Sequence, residues 1–490
     1  MRTSSFFLFF LISIVFSIHG QDLSSQFEES VLAGMRQRQV PGMITAVYYQ
    51  DSLVYSEVHG LKNIENQLLV DRNTVFNLGS ATKPFIGIAM AMLVEQGKLD
   101  WDDKVKDHYA DFKLSDACIT EDARIKDLFL HNLGIASNDL LWTLDSTSTE
   151  EMLSRYSHSE KVHPIRAGFE YNNMLYVIAG EVIEAVSGKH WSEFVAESIF
   201  KPLEMDHSFA RAVDVLPYGN YATPYLYQND QWIPHPLNLA DQMGASGNIW
   251  SCMEDMEHFL EFLVGEGTYR GKQLITSESF HYLTQSHTIE NAPEMDPLYA
   301  GLQSNFRNYG IGWFLHDYRG EKVVYHPGSI EGLNAQVGFA PSKKLAFFTL
   351  CNRDWAELWR SLFYKAIDLW AFQDNSRDHS QLAINPAKQF IQEWEDQKAK
   401  DRNPANSPSL EKKELMGSYL HPMYGEAVVQ EENERLFVRF NQYLSFELEH
   451  WYGDSYLGKT QEKFIGWEEY FEFKSGSLEV FGETFFKQEP

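Results

Sequence analysis

The chain is poor in cysteine, in positive charge and in long apolar runs. Cys118, Cys252 and Cys351 are its only thiols, an odd number too widely spaced for a disulfide framework or a paired-cysteine zinc site. Three buried thiols are expected, one bridge between two of them being the alternative. Lys and Arg number 41 against 69 Asp and Glu, a net charge of −28, and a field of that sign repels phosphate backbones and anionic lipid surfaces. No nucleic-acid partner is expected. Neither a His-Glu-x-x-His pair nor a glycine-rich phosphate loop occurs, so no metal and no organic cofactor is expected. No stretch reaches the roughly 20 consecutive apolar residues that a membrane-spanning helix requires. Internal repeats and low-complexity tracts are missing too, which removes solenoids and mucin-like stalks.

What is present describes a packed globular protein. Hydrophobic residues make up 44% and charged residues 22% of 490, enough to fill two or three domains of roughly 100 to 200 residues each. Arg2 precedes an apolar run over residues 6–18 and then Gly20, the pattern of a signal peptide cleaved near residue 20. An exported protein, periplasmic or extracellular, is expected, with no stable membrane span once that segment is removed. A helical entry near 24–39 leads to two β-rich runs, 43–50 and 53–59, joined by a tight turn at Asp51-Ser52. Phe85, Ile88, Ala89, Met92 and Leu93 form a helical apolar stripe starting near Ser80. The middle, 101–299, reads as helical insertion, including a helix over 175–186 that ends at Gly188. Strand patterns return at 322–325, 335–339 and 345–350, followed by an amphipathic helix over 358–372. Strands from both ends can then share one antiparallel sheet.

Residues 395–413 mix charge with Asn403-Pro404-Ala405-Asn406-Ser407-Pro408 and read as an exposed linker. Beyond it, short β runs at 427–430, 436–440, 444–451, 470–473 and 478–481 predict a small barrel or sandwich. The expected organisation is a leader over 1–20, a main domain over 21–400 and a β-rich domain over 401–490.

Three motifs carry chemistry. Ser80-Ala81-Thr82-Lys83 opens the apolar helix, and a spacing of three sets an amine one turn from a hydroxyl on the same face. A serine hydroxyl becomes a competent nucleophile when a neighbouring base takes its proton, and a buried lysine is such a base. Ser198…Lys201 and Ser409…Lys412 share the spacing, but one precedes Pro202 at a helix end and the other lies in the charged linker. Tyr171-Asn172-Asn173 precedes the 175–186 helix; its tyrosine can exchange protons with a nucleophile or leaving group, and an asparagine can bind a substrate amide while touching the lysine. Read alone, the same residues also suit a helix cap with a packed aromatic. His326-Pro327-Gly328-Ser329 closes a strand run, where Gly328 permits close approach and the Ser329 N–H can face an oxyanion. A second candidate for this element, Lys474-Ser475-Gly476, reads as a hairpin turn.

In this order, Ser-x-x-Lys, Tyr-x-Asn and His-x-Gly resemble the triplet of the β-lactamase and penicillin-binding-protein superfamily. The chain resembles the branch holding class C β-lactamases, D,D-carboxypeptidases, D-amino-acid peptidases and related esterases. The segments 127–131 with Gly134, 244–256, 309–313 and 350–352 are similar to that family's recurrent stretches. The likeness spans about 28–369, and the part after Ser409 resembles a β-rich module that some secreted bacterial members append. It implies an α+β fold, β-lactamase/transpeptidase-like, with an antiparallel sheet flanked by helices plus a helical insertion, followed by a small all-β barrel or sandwich. By position it implies Ser80 as acylated nucleophile, Lys83 as proton acceptor and Tyr171 serving acylation, deacylation or both. Asn173 would orient the substrate amide, Ser80 and Ser329 N–H groups would form the oxyanion hole beside Gly328, and His326 would lie at the substrate's carboxylate end. Most β-lactamases carry Lys where this chain has His326, and an imidazole near its reference pKa of about 6.5 is largely neutral at pH 7, so weaker carboxylate binding follows. Histidine occurs there in peptidases and esterases of the family, and His131-Asn132-Leu133-Gly134 stands where His-Thr-Ser-Gly is usual. The expected activity is a secreted serine hydrolase acting through an acyl-enzyme on a small-molecule or peptide substrate: a D-amino peptide, an ester or a β-lactam. A penicillin-binding D,D-carboxypeptidase or D-amino-acid peptidase acting on cell-wall peptides, and a catalytically silent peptide-binding protein, are the alternatives. The sequence names no partner for the C-terminal domain.

Overall fold

The computed structural model describes residues 23–144, 148–228, 230–237, 241–290, 302, 304–354, 356, 358–380, 384–441, 444–460 and 467–488. The expected leader, 1–20, lies outside them. By backbone proximity the chain forms two compact units. One comprises the chain up to Phe112, Cys118–Gly134 and His163–Pro386; the other comprises Lys113–Ala117, Ile135–Val162 and Ala387–Pro490.

In the first unit the strands of both chain ends join into one antiparallel sheet. Among the described residues it has nine strands, ordered Thr288–Ile289, Arg307–Tyr309, Phe314–Tyr318, Glu321–Ile330, Leu333–Ala340, Leu345–Cys351, Gly42–Tyr49, Ser52–Asn63 and Leu68–Leu69. The seam sets Met43 opposite Cys351 and Tyr49 opposite Leu345. Tyr49 also faces Ser52, so the tight turn is Gln50-Asp51, one residue earlier than expected, with Gln50 at φ 56°. Strand alternation then assigns the faces. Met43, Val47, Val323, Tyr325 and Phe347 share a core with Phe27 and Val31 of the helix over 23–37 and with Leu358 and Leu362 of the helix Leu358–Ala366. Val324 and His326 therefore face the other side, where the helix Met253–Val264 and the turn Gly79–Thr82 pack.

The helix Lys83–Glu95 is buried at every position from Lys83 to Leu93. The 85/88/89/92/93 stripe accounts for one face only; Ile86, Met90 and Ala91 supply the others, so the helix runs through the interior. Pro84 sits in its first turn, where a missing N–H costs no hydrogen bond. Helices are the main regular structure of the middle of the chain, with Asn173–Ser187 packed against this central helix, but the segment also holds the hairpin Tyr225–Gln228/Gln231–Pro234 and gives Thr288–Ile289 to the large sheet. Cys252 and Cys351 are buried, whereas Cys118 is exposed, contrary to the expectation of three buried thiols; all three are free.

In the second unit eight strands, from Gly417–His421 to Glu483–Lys487, close into an antiparallel barrel, with Tyr419 opposite Lys487 at the seam. The interior is filled by side chains such as Phe446, Phe471, Phe473 and Phe485, as an eight-stranded barrel of this size allows. Ser475-Gly476 is the expected hairpin loop, with Lys474 opposite Ser477. Residues 395–401 are not linker: they end the helix Ile384–Asp401. Lys398 is buried, pairs with Glu395 and Glu468, and its carbonyl accepts the Trp451 indole N–H at 3.1 Å. The charge mixture that suggested a linker is the solvated face of a helix.

Candidate active site

The site starts from two glycines. Gly79 has φ 51°, and a Cβ there would stand 2.7 Å from the Ser329 nitrogen. A Cβ on Gly328 would stand 1.8 Å from the Leu78 carbonyl oxygen. Only glycine at both places lets the strand 321–330 press against the turn that carries Ser80, bringing the backbone of Ser80 and Ser329 together. Ser80 lies in a 3-10 turn, Gly79–Thr82, and the α-helix begins at Lys83.

Lys83 is fully buried, and Nζ has three oxygen neighbours: Ser80 Oγ at 3.0 Å, Asn173 Oδ1 at 2.7 Å and the Ser246 carbonyl at 2.8 Å. As an ammonium it donates to all three. As a free amine it keeps two N–H groups on Asn173 and Ser246 and turns its lone pair to the Ser80 hydroxyl. Nζ also lies 5.0 Å from the centre of the Tyr171 ring and 5.1 Å from that of Tyr176. Asn172 caps the following helix, its Oδ1 accepting the Leu175 N–H at 3.2 Å, which frees Asn173 to reach the amine. His131 brackets Tyr171: its carbonyl accepts the Glu170 N–H at 2.7 Å and its Nδ1 accepts the Asn172 N–H at 3.0 Å. Its ring lies 4.4 Å from the Tyr171 ring, centre to centre. Burial first, then Lys83 and His326, hold the His131 imidazole well below the usual histidine range.

His326 is fully buried on the same side of its strand as Gly328. Its Nδ1 lies 2.7 Å from the Pro327 carbonyl, which only accepts, so Nδ1 carries the proton. Nε2 then accepts the Tyr309 hydroxyl at 2.9 Å. Burial, and next the Lys83 cation, keep the imidazole well below its ordinary value. The residue expected at a substrate's carboxylate end is thus neutral, with both nitrogens engaged inside the protein.

A cavity of about 400 Å³ opens over these groups, lined by Ser80, Tyr171 and the strand from His326 to Ser329. Among the described residues, a ladder partner stops early along one side of that strand: Phe314–Tyr318 pairs with 321–325, while 326–330 pair with 333–337 on the other side. Ser80, Lys83, Tyr171, Asn173, His326, Gly328 and Ser329 all lie in one neighbourhood, far apart as they are in the chain. Residues 27–362 match the Beta-lactamase family. The chain belongs to that family. Residues 401–485 match a family described only as a domain of unknown function, DUF3471.

The relatives of this β-lactamase-family protein are distant. The unguisins hydrolase ungD' of Aspergillus campestris is 23% identical over 444 residues, 85% of this chain and 79% of that protein. Protein flp of Staphylococcus aureus is 23% identical over 68% of this chain, and the chain spans 63% of its length. The octameric penicillin-binding protein homologue from Pyrococcus abyssi superposes over 94% of this chain and 99% of its own, with a TM-score of 0.62 and 21% identity. Family membership and relatives named as hydrolases place the chain among serine hydrolases in general.

Four further participants carry no signal of a role in the amino-acid sequence. Ser246 contributes its carbonyl to Lys83 and Tyr309 its hydroxyl to His326; both lie in segments similar to family stretches, but nothing in a residue's type reveals a backbone acceptor. Trp359 and Arg360 form part of the cavity wall beside Phe314 and Asn334, the guanidinium lying 4.3 Å from the indole centre. They fall on the amphipathic helix after the last sheet strand, where alternation and helical stripes predict packing and not site membership.

Proposed function

We propose that this protein hydrolyses an amide or ester bond of a peptide-like substrate through an acyl-enzyme on Ser80. The observation that carries the reading is Lys83 Nζ, 3.0 Å from Ser80 Oγ with two further acceptors claiming its other protons. The amine takes the hydroxyl proton as Oγ attacks the acyl carbon. The negative oxygen that forms receives the N–H groups of Ser80 and Ser329. Collapse breaks the C–N or C–O bond, and Tyr171 passes the proton to the leaving amine or alcohol. Water then adds to the acyl carbon, its proton returns through the same groups, and Ser80 is released with one acid and one amine or alcohol formed. The one-sided strand edge over 326–330 offers an extended peptide main-chain partners, and the cavity suits a small acyl group. D-amino peptides, esters and β-lactams are the compounds to screen. A cell-wall D,D-carboxypeptidase is marked among these by a long-lived penicillin adduct. Export rests on residues 1–20, whose pattern is that of a signal peptide.

The deciding measurement is the intact mass after exposure to a fluorophosphonate, with Ser80→Ala alongside. One adduct on the wild type and none on the variant is the expected result. No adduct on either transfers the assignment to a peptide-binding protein.

A further inference from the structure

Behind the cavity lies a chain of buried polar groups that the acyl-transfer scheme does not use. The Tyr176 hydroxyl donates to the Phe129 carbonyl at 3.0 Å and lies 3.4 Å from the Tyr309 hydroxyl. The His326 Nδ1–H goes to the Pro327 carbonyl, which leaves Nε2 to accept the Tyr309 proton, while the Tyr176 proton is spent on the Phe129 carbonyl. All the side chains and backbone groups along this path belong to the first unit. Burial keeps both phenols well above their ordinary pKa, so they remain donors at any working pH. The path ends one residue before Gly328 and two before Ser329.

We propose that Tyr309 is a positioning residue for acyl transfer at Ser80: its hydroxyl holds His326 as the neutral Nδ1–H tautomer, and His326 holds the Pro327 carbonyl and the Gly328–Ser329 backbone that follows. The inference rests on the hydrolase reading for its kinetic consequence and on hydrogen-bond chemistry alone for the tautomer. One acceptor-only neighbour favours a tautomer, and a donor on the other nitrogen adds to that preference and holds the ring against rotation. Pro327 can only accept. Tyr309 donates to Nε2 at 2.9 Å, the shorter of its contacts to His326 and Tyr176. Without the phenol, Nε2 loses its donor, the ring is free to turn, and the strand beside Ser80 loses its anchor. The groups that face His326 are Lys83 on the central helix, Tyr171, His131, and Tyr309 on the strand Arg307–Tyr309, two places away in the sheet. Whenever Lys83 carries its extra proton it opposes a second cation here, which favours the neutral ring.

The test joins ¹⁵N NMR of the histidine side chains to inactivation kinetics with a fluorophosphonate, on the full-length protein and on Tyr309→Phe. In the wild type the His326 signals should report Nδ1–H alone and should not move between pH 5 and 8. In Tyr309→Phe they should report mixed tautomers or begin to titrate. The maximal inactivation rate should fall about tenfold with the half-saturating probe concentration unchanged, since backbone donors to a developing oxyanion act in the transition state. A wild-type His326 that titrates like a surface histidine would overturn the proposal. So would a Tyr309→Phe protein with unchanged tautomer and unchanged rate. A wild type that never reacts with the probe refutes the hydrolase reading, and the NMR arm then decides the tautomer by itself.

Discussion

Gly328 and Leu78 meet where no side chain fits: a Cβ on Gly328 would stand 1.8 Å from the Leu78 oxygen and 3.0 Å from the Ala81 nitrogen. These are backbone atoms, which cannot turn aside as a flexible side chain would. Gly328→Ala must therefore push the strand off the serine turn and separate the Ser80 and Ser329 N–H groups. The expected cost is about 1–3 kcal/mol of stability and a loss of at least about 100-fold in the rate of fluorophosphonate labelling. Urea denaturation and the labelling rate measure the two effects. A variant that labels at the wild-type rate would show that the two segments need not touch.

The reacting groups should separate by role. Ser80→Ala abolishes labelling and turnover, and Lys83→Ala and Tyr171→Phe each lower turnover by orders of magnitude while the melting curve stays cooperative. Asn173→Ala removes an acceptor that orients the Lys83 amine. It should cost about 10- to 100-fold in the maximal rate with a small change in the half-saturating concentration. The reverse pattern, a large change in half-saturation alone, would make Asn173 a substrate contact and not a support for Lys83.

Much of this site is legible in the order of its amino acids, and the part that is not has a physical reason. Ser80 and Lys83 are legible because helical spacing puts them on one face, and Gly328 because a glycine after a strand run signals close approach. The one-sheet union of residues 42–49 with 345–351 follows from β-rich runs at both ends. The closure of the barrel does not, since Gly417–His421, Ser455–Thr460 and Glu483–Lys487 are short and break the apolar-in, polar-out alternation: Leu420 and Phe486 are exposed, and Ser455 to Gly458 are buried in succession. Nor does the anchoring of His131 to Tyr171, because a ring nitrogen that accepts a backbone N–H leaves no periodic trace. His131 reads as structural, and its bonds hold the segment that bears the tyrosine.

A second imidazole repeats the His326 arrangement and sets a pH dependence. His316 Nδ1 donates to the Asp317 carbonyl at 3.1 Å, and Nε2 accepts the Tyr364 hydroxyl at 2.9 Å. Burial pushes its pKa down to about 4, against about 6.5 in an unfolded chain. Between those values the unfolded chain holds a proton that the folded one lacks, so stability falls as pH drops from about 6.5 to about 4. The full contribution is about 3 kcal/mol. Glu181, which burial pushes up to about 7, acts in the opposite sense, gaining stability as pH falls from about 7 to its unfolded value near 4.5. Comparison with His316→Gln removes that background. The stability gap between wild type and variant should narrow by about 2 kcal/mol from pH 7 to pH 5, read from urea midpoints. A constant gap would mean that His316 does not titrate in this range.

Met423 of the barrel ties down part of the excursion 135–162, which belongs to the same unit. Met423 is buried, its sulfur accepts the Asn138 amide at 3.1 Å, and Ser159 Oγ lies 3.4 Å away. Asn138 also donates to Ser159 Oγ at 2.7 Å, so the three side chains form a closed set. Met423→Ala removes the acceptor and opens a cavity, a change that costs about 2–5 kcal/mol in a packed core. Hydrogen exchange should accelerate over 135–162 and over the strands flanking Met423, with the nine-stranded sheet protected as before, because opening follows the contacts within a cooperative unit. Met423→Leu keeps the volume and loses only the sulfur, so its effect should be smaller. Equal exchange in all three proteins would show that the excursion is held by other contacts of the barrel unit.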